Sequence, residues 1–197
     1  MSRRVLELAA VLLAAAILYG MQRTTPLYSE ITSPVPVYGE PGKRIDARAF
    51  ALAVVNVHLA RMVRTESFGR TQDFTTSGIW VLVEGAAEAK QESLTLITAN
   101  WLGPSGVSFA LSQRFSLLPG LLPNQGLEPG LPKPVLMAFE VPEREVLGAT
   151  MTVARSYLTP LDEEVRVPMT SVDATNVRNV ITLKRSTAGL PWILEAE

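Results

Sequence analysis

The sequence predicts an all-β domain, an antiparallel sandwich or barrel, preceded by a single N-terminal transmembrane helix. Three observations support this prediction. An apolar segment near the N-terminus is long enough to cross a membrane, roughly eight short segments alternate apolar with polar residues, and glycine or proline separates most of them. With 197 residues, of which 47% are hydrophobic and 19% charged, the chain is large enough to form one folded core.

The N-terminal segment, residues 1–22, is predicted to be a short cytoplasmic tip followed by a membrane anchor. Between Val5 and Met21 the only charged residue is Glu7, and a run of this length is near the lower limit for crossing a bilayer. Two arginines precede the run, which places the N-terminus in the cytoplasm and the C-terminal domain outside it, in the periplasm or the extracellular space. A cleaved signal peptide and a buried helix of a soluble domain are the alternatives.

Residues 23–46 are predicted to be a proline-rich tether. This segment contains four prolines and two glycines and shows no helical period. One short edge strand is expected within it, at Val35–Tyr38. The prediction for residues 47–197 is a single β-sandwich domain.

After the tether the apolar residues recur with a period of two. In ARAFALAVVNVHLARMV the phase slips at Val54-Val55, which predicts a β-bulge or a bend between sheets. Further strands are predicted in IWVLVEGA, SLTLITANW, VSFALS, VLMAFEV, ATMTVARSY, EEVRVPM and VITLKRS. The intervening GAAEAKQE, residues 85–92, contains good helix formers, so a single helical turn is the alternative there.

The strand VLMAFEV is enclosed by prolines on both sides. Its inward-facing residues are expected to be Val135, Met137, Phe139 and Val141, and Pro142 is expected to end it. These prolines therefore delimit one strand of the core, and no chemistry is needed to explain them.

The connection before this strand, residues 117–134, is called the Leu/Pro loop here because it contains six leucines and five prolines. A long connection without secondary structure of its own is usually functional or disordered. One interpretation is that its leucines cap one end of the core; the other is an exposed apolar lip that contacts a protein partner or the membrane surface. The candidate contact residues are Leu117, Leu118, Leu121, Leu122, Leu127 and Leu131.

Two segments resemble a known family. ANWLGPSGVSFALSQRF is similar to the D/N-x-x-G-x-x-Y/F-x-x-S segment of the immunoglobulin-like domains found in bacterial immunoprotective extracellular lipoproteins and related domains of unknown function. LEPGLPKPVLMAFEVPE resembles the l-x-P-G … F-x-V-P segment of that family, and the resemblance covers about residues 45–170. It implies an antiparallel immunoglobulin-like β-sandwich outside the cytoplasmic membrane, without catalytic residues. The chain departs from the family in lacking a lipid-accepting cysteine and in having Pro104-Ser105 before the turn residue Gly106.

The composition excludes several kinds of site. The chain contains no cysteine, which excludes thiolate metal ligands, disulfide bonds and a cysteine nucleophile. The 18 basic and 19 acidic side chains are nearly balanced, and the domain after the tether is acidic, which argues against nucleic acid as a partner. The prediction is therefore no catalytic residue, no cofactor and no metal site.

The candidate chemical residues are expected to be structural. His58, the only histidine, is expected on the sheet surface or in a hydrogen bond, since a metal site would need further ligands. Trp80 and Trp101 are expected in the core, and Trp192 is expected to dock the C-terminal tail onto the domain or a neighbour. Two groups of carboxylates are expected to lie in solvated turns: Glu140, Glu143 and Glu145, and the trio Asp162, Glu163 and Glu164.

Together these features predict a membrane-anchored, extracytoplasmic, non-enzymatic interaction or scaffolding module of the cell envelope, with a protein partner. The alternative is an accessory subunit of a membrane transport or secretion complex whose anchor helix packs against other helices. Small residues would permit such close packing, and the candidates are Ala9, Ala10, Ala14, Ala15, Ala16 and Gly20. An enzyme is the third hypothesis, and it would need paired carboxylates or a serine in contact with His58 in a deep pocket.

Overall fold

The computed structural model describes residues 3–25, 33–67, 69–115, 120–156, 161–170, 172–186 and 189–196. The chain divides into two compact units, residues 1–33 and residues 34–197. The first unit contains helix α1 (Arg3–Thr24), and the described part of the second contains eleven strands. These strands are β1 (Val35–Tyr38), β2 (Arg44–Asp46), β3 (Phe50–Ser67), β4 (Arg70–Ala89), β5 (Thr98–Leu102), β6 (Ser108–Ala110), β7 (Lys133–Val141), β8 (Thr150–Ala154), β9 (Glu163–Pro168), β10 (Val177–Arg185) and β11 (Trp192–Ala196). Two 3₁₀ helices, Leu122–Asn124 and Glu143–Glu145, flank β7.

Helix α1 has the length and composition of a membrane span. Its most apolar window has a mean hydropathy of 1.9, its 22 residues extend about 33 Å, and none of them is buried. The small residues predicted to pack against other helices do not share one side. At about 100° per residue, Ala9, Ala16 and Gly20 fall on one side of the helix. The other three point elsewhere around the circumference: Ala10, Ala14 and Ala15.

The strands form two stacked sheets, so the predicted β-sandwich is confirmed. The first sheet has the order β1-β9-β8-β5-β6, and the second has the order β11-β10-β3-β4-β7, with β2 also paired to β3. The prediction of a purely antiparallel sandwich is wrong, because β1 runs parallel to β9 and β10 runs parallel to β3. Both parallel pairs join strands that are distant in sequence, where no hairpin forces an antiparallel arrangement.

Part of the segment predicted to be a tether belongs to the sandwich. The edge strand expected at Val35–Tyr38 is present as β1, at the edge of the first sheet. Residues 44–46 form β2 in the second sheet, where Ile45 is buried in the core. The sheet unit consequently begins at Pro34 rather than at residue 47.

The main core lies between the two sheets. Its largest side chains include Trp101 from the first sheet and Phe50 and Phe139 from the second. Burying an aromatic or large aliphatic side chain contributes about 1.5–3 kcal/mol. The indole nitrogen of Trp101 donates to the carbonyl oxygen of Glu145 at 3.0 Å, so burial leaves no unpaired donor on this ring.

Strand β7 is buried on both faces. The four residues predicted to face inward belong to the main core: Val135, Met137, Phe139 and Val141. On the opposite face Leu136 and Ala138 are also buried, in a second apolar cluster. The sequence pattern had predicted burial on one face alone, so another layer must cover the outer face of the second sheet.

This layer is the sheet's own far end. In β3 and β4 the pairing jumps from Ala60 opposite Trp80 to Met62 opposite Thr75. Three more residues are therefore accommodated on β4 than on β3 between these two pairs, and such a mismatch bends a sheet sharply. The part before the bend, residues 50–60 of β3 and 79–89 of β4 with β7, is called the proximal half. The distal half comprises residues 62–67 of β3 and 70–75 of β4, with β10 and β11.

The distal half folds back over the outer face of the proximal half. Glu84 lies beside Asn56 on the proximal half, whereas Trp192 pairs with Arg185 near the far end of the distal half. In a flat sheet these positions would be on the order of 30 Å apart. The indole nitrogen of Trp192 nevertheless donates to Glu84 Oε1 at 2.7 Å.

The second cluster fills the space between the two halves. Both halves contribute to it, with Trp80 and Leu82 on one side and Val63, Ile181 and Trp192 on the other. Trp80 was predicted to be a core residue, and it is fully buried there. Its indole nitrogen donates across the bend to the carbonyl oxygen of Phe74 at 2.9 Å, which satisfies the one polar group of the ring.

An arginine covers the bend from outside. The Arg114 guanidinium lies 5.3 Å from the ring centroids of both Phe74 and Trp80. Its Nη1 donates to the carbonyl oxygen of Thr75 at 2.8 Å and pairs with Glu140 at 3.1 Å. Arg114 therefore links strands on both sides of the bend.

The described leucines of the Leu/Pro loop are mostly core residues. Leu121 packs in the second cluster, and Leu122 and Leu127 pack in the main core. These three buried side chains cannot form an exposed lip, which corrects their assignment as partner-contact residues. Leu131 is 59% exposed. The remaining two candidates, at positions 117 and 118, lie outside the described residues.

The helical-turn alternative for residues 85–92 is wrong, because β4 continues to Ala89. Strand pairing on both sides explains why helix propensity does not prevail: Gly85 pairs with Val54 of β3 and with Val135 of β7.

One glycine of the Leu/Pro loop tests the packing between the halves. Gly120 has a φ of 82°, and a Cβ at this position would overlap the Trp192 ring. We expect Gly120→Ala to lower the free energy of unfolding by about 2–5 kcal/mol, the sum of left-handed backbone strain and overpacking. The measurement is denaturant unfolding of the full chain in detergent.

The matched control is Gly130→Ala, because Gly130 has a φ of 71° but a Cβ there would meet no atom within 4 Å. Its cost should be limited to backbone strain, about 1–2 kcal/mol. Equal losses in the two variants would contradict the close packing of Trp192 on Gly120.

Candidate functional site

Strand pairing is interrupted along the edge of β3 that faces away from β4. Strand β2 pairs with residues 51–53 of β3, and the amide nitrogen of Gly42 donates to the carbonyl oxygen of Val54 at 2.8 Å. Strand β10 pairs with β3 from Leu59 onward. Among the described residues, no strand pairs with positions 55–58 on this side. These four positions span about 13 Å of strand, and an unpaired strand edge presents backbone donors and acceptors.

A cleft of about 470 Å³ lies along this interrupted edge. Its walls come from β3, from the segment preceding β10, and from β10 and β11. Val57 and Leu194 provide apolar surface, whereas Asn56, His58 and Arg178 provide polar groups. The volume of the cleft falls within the range of ligand-binding pockets.

Glu84 organises the polar groups beside the cleft. Its Oε2 accepts a hydrogen bond from Asn56 Nδ2 at 3.2 Å and lies 2.9 Å from His58 Nε2. Its Oε1 accepts the bond from Trp192 described above. The Glu84 side chain is 13% exposed, so these three partners replace most of its contact with water. One carboxylate thus joins two proximal side chains to the distal half.

Hydrogen bonding sets the ionisation of this carboxylate. The bond with His58 has the largest effect and lowers the pKa of Glu84 below its ordinary value of 4.5; the bonds from Trp192 and Asn56 act in the same direction. Burial opposes them by penalising the charged form. The lowered pKa means that the ionised form of Glu84 is favoured in the folded chain.

The His58 side chain is 35% exposed and held by Glu84. In the part of the chain that the structure describes, Glu84 is the hydrogen-bond partner of this ring and no serine oxygen contacts it. Acyl transfer would need a nucleophile within hydrogen-bond reach of the imidazole. His58 is therefore hydrogen-bonded on the sheet surface, as the sequence predicted. Within the described ranges there is also no group of three or more metal-ligating side chains.

Several carboxylates that were predicted to lie in solvated turns lie elsewhere. Glu145 is 4% exposed, and its Oε2 accepts from the hydroxyl and the amide of Ser105 at 2.8 and 3.2 Å. It holds the turn before β6 in place. Glu163 and Glu164 open β9 rather than lying in a turn, whereas Glu143 is exposed as predicted.

Sequence reasoning missed Glu84 and Arg178. A lone carboxylate in the apolar strand IWVLVEGA is a detectable signal, because an unpaired charge in such a strand would be costly to bury. Its partners come from β3 and from the C-terminus, and the sequence did not indicate that these would meet. The predicted docking of Trp192 onto the domain is present as its bond to Glu84.

No protein-family model and no curated protein matches the sequence. Similar solved structures include an uncharacterized β-sandwich protein from Clostridium difficile 630, which is 11% identical with a TM-score of 0.45 and covers 70% of this chain and 96% of that chain. The yjhA protein from Bacillus subtilis is 15% identical, with a TM-score of 0.49 and coverage of 66% and 97%. MPT63, a secreted protein from Mycobacterium tuberculosis, is 12% identical, with a TM-score of 0.49 and coverage of 69% and 99%. The β-sandwich assignment for the present chain rests on its own strand pairing.

Glu84→Gln tests the junction between the halves. At pH 7 we expect this variant to lower the free energy of unfolding by about 1–3 kcal/mol, because the neutral amide is a weaker acceptor for three donors. Folding lowers the pKa of Glu84, so its contribution is present above about pH 4.5 and is lost as the pH falls through the folded-state pKa. The difference between the two proteins should therefore shrink below about pH 4.5. Denaturant unfolding at several pH values measures it.

Other carboxylates with lowered pKa values also respond to acid, so the comparison with the variant is what isolates Glu84. Glu143→Gln, at an exposed carboxylate, is the matched control and should follow the wild type at every pH. A Glu84→Gln effect of constant size from pH 7 to pH 3 would contradict the role of the charge.

Proposed function

We propose that this chain is a membrane-anchored, extracytoplasmic, non-enzymatic interaction module of the cell envelope. The observation that carries the proposal is helix α1, in which Glu7 is the only charged residue between Val5 and Met21 and no residue is buried. An apolar helix of this kind exposes far more hydrophobic surface than water tolerates on a monomer. A lipid bilayer satisfies both its apolar surface and its length.

Contacts at the two ends of α1 support the proposal of a membrane span. Arg3 forms an ion pair with Glu7 at 3.4 Å, which reduces the cost of this carboxylate near the interface. At the other end the Arg23 guanidinium donates to the hydroxyl of Tyr19 at 3.0 Å, as expected for an interfacial belt. The basic residues before the apolar run favour a cytoplasmic N-terminus, which supports an extracytoplasmic location for the sandwich.

Binding rather than catalysis suits the sandwich. The cleft beside β3 combines backbone edge, apolar surface and a few polar groups, while His58 is already engaged by Glu84. The two-sheet architecture also supports the resemblance to bacterial extracytoplasmic immunoglobulin-like domains, which forms part of this proposal. A protein partner in the envelope is the expected ligand.

One observation favours a second candidate, an accessory subunit of a membrane transport or secretion complex. Ala9, Ala16 and Gly20 line one side of α1, and small residues on one side let helix backbones approach closely. In that case the helix itself would form part of the interface with partner helices.

Crosslinking in intact membranes, with an epitope at the C-terminus, distinguishes the two candidates. The informative variant carries leucine in place of Ala9, Ala16 and Gly20, and its matched control carries leucine at the other three small positions, Ala10, Ala14 and Ala15. Partners lost only in the first variant would support the accessory subunit. Partners kept by both would support binding through the sandwich, and the absence of any specific partner would contradict both candidates.

Arginine in the middle of α1 tests anchoring. We expect the double variant Leu12→Arg and Leu13→Arg to move the chain from the membrane fraction to the soluble fraction, because each arginine at a helix centre costs about 2.5–3.5 kcal/mol of insertion. Gln22→Arg, at the end of the helix, is the control and should remain in the membrane. The measurement is fractionation followed by alkaline carbonate extraction.

A wild-type chain that is extracted by carbonate, or that has lost its N-terminal residues by mass spectrometry, would contradict a retained anchor. Loss of the N-terminal residues would instead identify the segment as a signal peptide.

A further inference from the structure

We propose that the interrupted edge of β3 binds an extended peptide segment of a partner protein by β-strand addition, and that a carboxylate of this segment pairs with Arg178. The proposal deepens the interaction function proposed above and rests on it. It identifies the place of binding, the conformation of the ligand and one chemical requirement.

The first argument is the backbone edge itself. Residues 56–58 pair with β4 on one side, and Val55 is bulged out of that register. On the other side residues 55–58 have no strand among the described residues, although β2 and β10 occupy that side on either end. An extended chain is the ligand that satisfies such an edge, because its main-chain groups repeat at the spacing of the strand. The cleft provides the room for it.

The second argument is that ordered turns hold the gap open. At one end Gly42 is bonded to Val54. At the other, Asp173 Oδ1 accepts from the amide and hydroxyl of Thr175 at 2.9 and 2.6 Å, and the amide of Asn176 donates to the carbonyl oxygen of Asp173 at 3.2 Å. These bonds fix where β2 and β10 begin. The gap is thus a feature of defined length, suited to about four residues of ligand.

The third argument is charge. Arg178 lies on β10 opposite Ala60, is exposed, and lines the cleft. Within the described ranges its guanidinium has no ion pair, and the nearby carboxylates are engaged elsewhere: Glu84 by its three donors, and Asp173 by its own turn. A carboxylate is the group whose geometry matches a free guanidinium. The ligand is therefore an acidic or C-terminal segment.

The fourth argument concerns side chains. Val55 is 61% exposed, and Val57 and Leu194 form apolar cleft wall. Val57 packs towards the main core and Leu194 towards the second cluster, so these two walls lie on opposite faces of the sheet. Side chains of an added strand alternate between the two faces, so neighbouring residues of the ligand would contact different walls. Main-chain bonds supply affinity in such complexes and side-chain contacts supply selectivity.

The test uses the full chain in lipid nanodiscs and a positional-scanning library of fluorescent tetrapeptides with free C-terminal carboxylates, read by fluorescence polarisation. We expect a subset of pools to bind, with preference for an apolar residue at the positions that contact Val57 or Leu194. The strongest single peptide is then compared with its backbone N-methylated form, which cannot donate main-chain hydrogen bonds. N-methylation should weaken binding by about tenfold or more, since each lost hydrogen bond to a desolvated partner removes on the order of 1–3 kcal/mol.

Arg178→Glu should weaken the same peptide by about tenfold or more, because it replaces an attractive charge with a repulsive one. Arg61→Glu is the matched control: Arg61 is an exposed arginine of β3 without an ion pair among the described residues, and it does not line the cleft. It should leave binding unchanged. The proposal is overturned if no pool binds at millimolar concentration, if N-methylation has no effect, or if Arg178→Glu and Arg61→Glu behave alike.

These outcomes are separate from those for the anchor. If the chain binds peptide but is extracted from membranes by carbonate, the β3 site is supported and the proposed membrane anchor is contradicted. A retained anchor without peptide binding would reject only the β3 site.

Discussion

The bend in β3 and β4 is the constraint on which the rest of the sandwich depends. It doubles the second sheet over its own outer face, which creates the second apolar cluster and buries β7 on both sides. The bend also requires close backbone packing, because a Cβ at Gly78 would overlap the carbonyl oxygen of Val141. Because β10 joins β3 only next to the bend, the edge between β2 and β10 is left open.

Apolar contacts and the Glu84 hydrogen bonds contribute differently to this arrangement. Each large side chain buried between the halves contributes about 1.5–3 kcal/mol, whereas a hydrogen bond contributes about 0.5–1.5 kcal/mol net. The apolar cluster therefore supplies most of the stability. The carboxylate would be costly to bury without its donors, and the arrangement that brings Trp192 to Glu84 satisfies both conditions.

The local features of the fold could be predicted from the sequence, but their assembly could not. Alternation predicted most strands, the phase slip at Val54-Val55 corresponds to the register shift there, and Trp80 and Trp101 are buried as expected. The far end of the β3–β4 hairpin was missed because TQDFTT has Phe74 as its only large apolar residue. Parallel pairing was missed because periodicity reports which face a residue occupies and carries no information about which strand lies beside it. For the same reason His58 was anticipated as a hydrogen-bonded residue, while its partner was not.

The parallel pairing of β1 with β9 has a consequence for how the chain folds. The β3–β4 hairpin joins neighbouring segments and forms without closing a long loop, whereas Val35 must wait for Glu163 before it has a partner. The first strand therefore stays unpaired until β9, more than 100 residues further along the chain, is available to it. Pro36 within β1 and Pro34 just before it lack a backbone N–H, which disfavours pairing with other chains during that interval. Strand β1 is thus made first but finds its partner only once β9 is present.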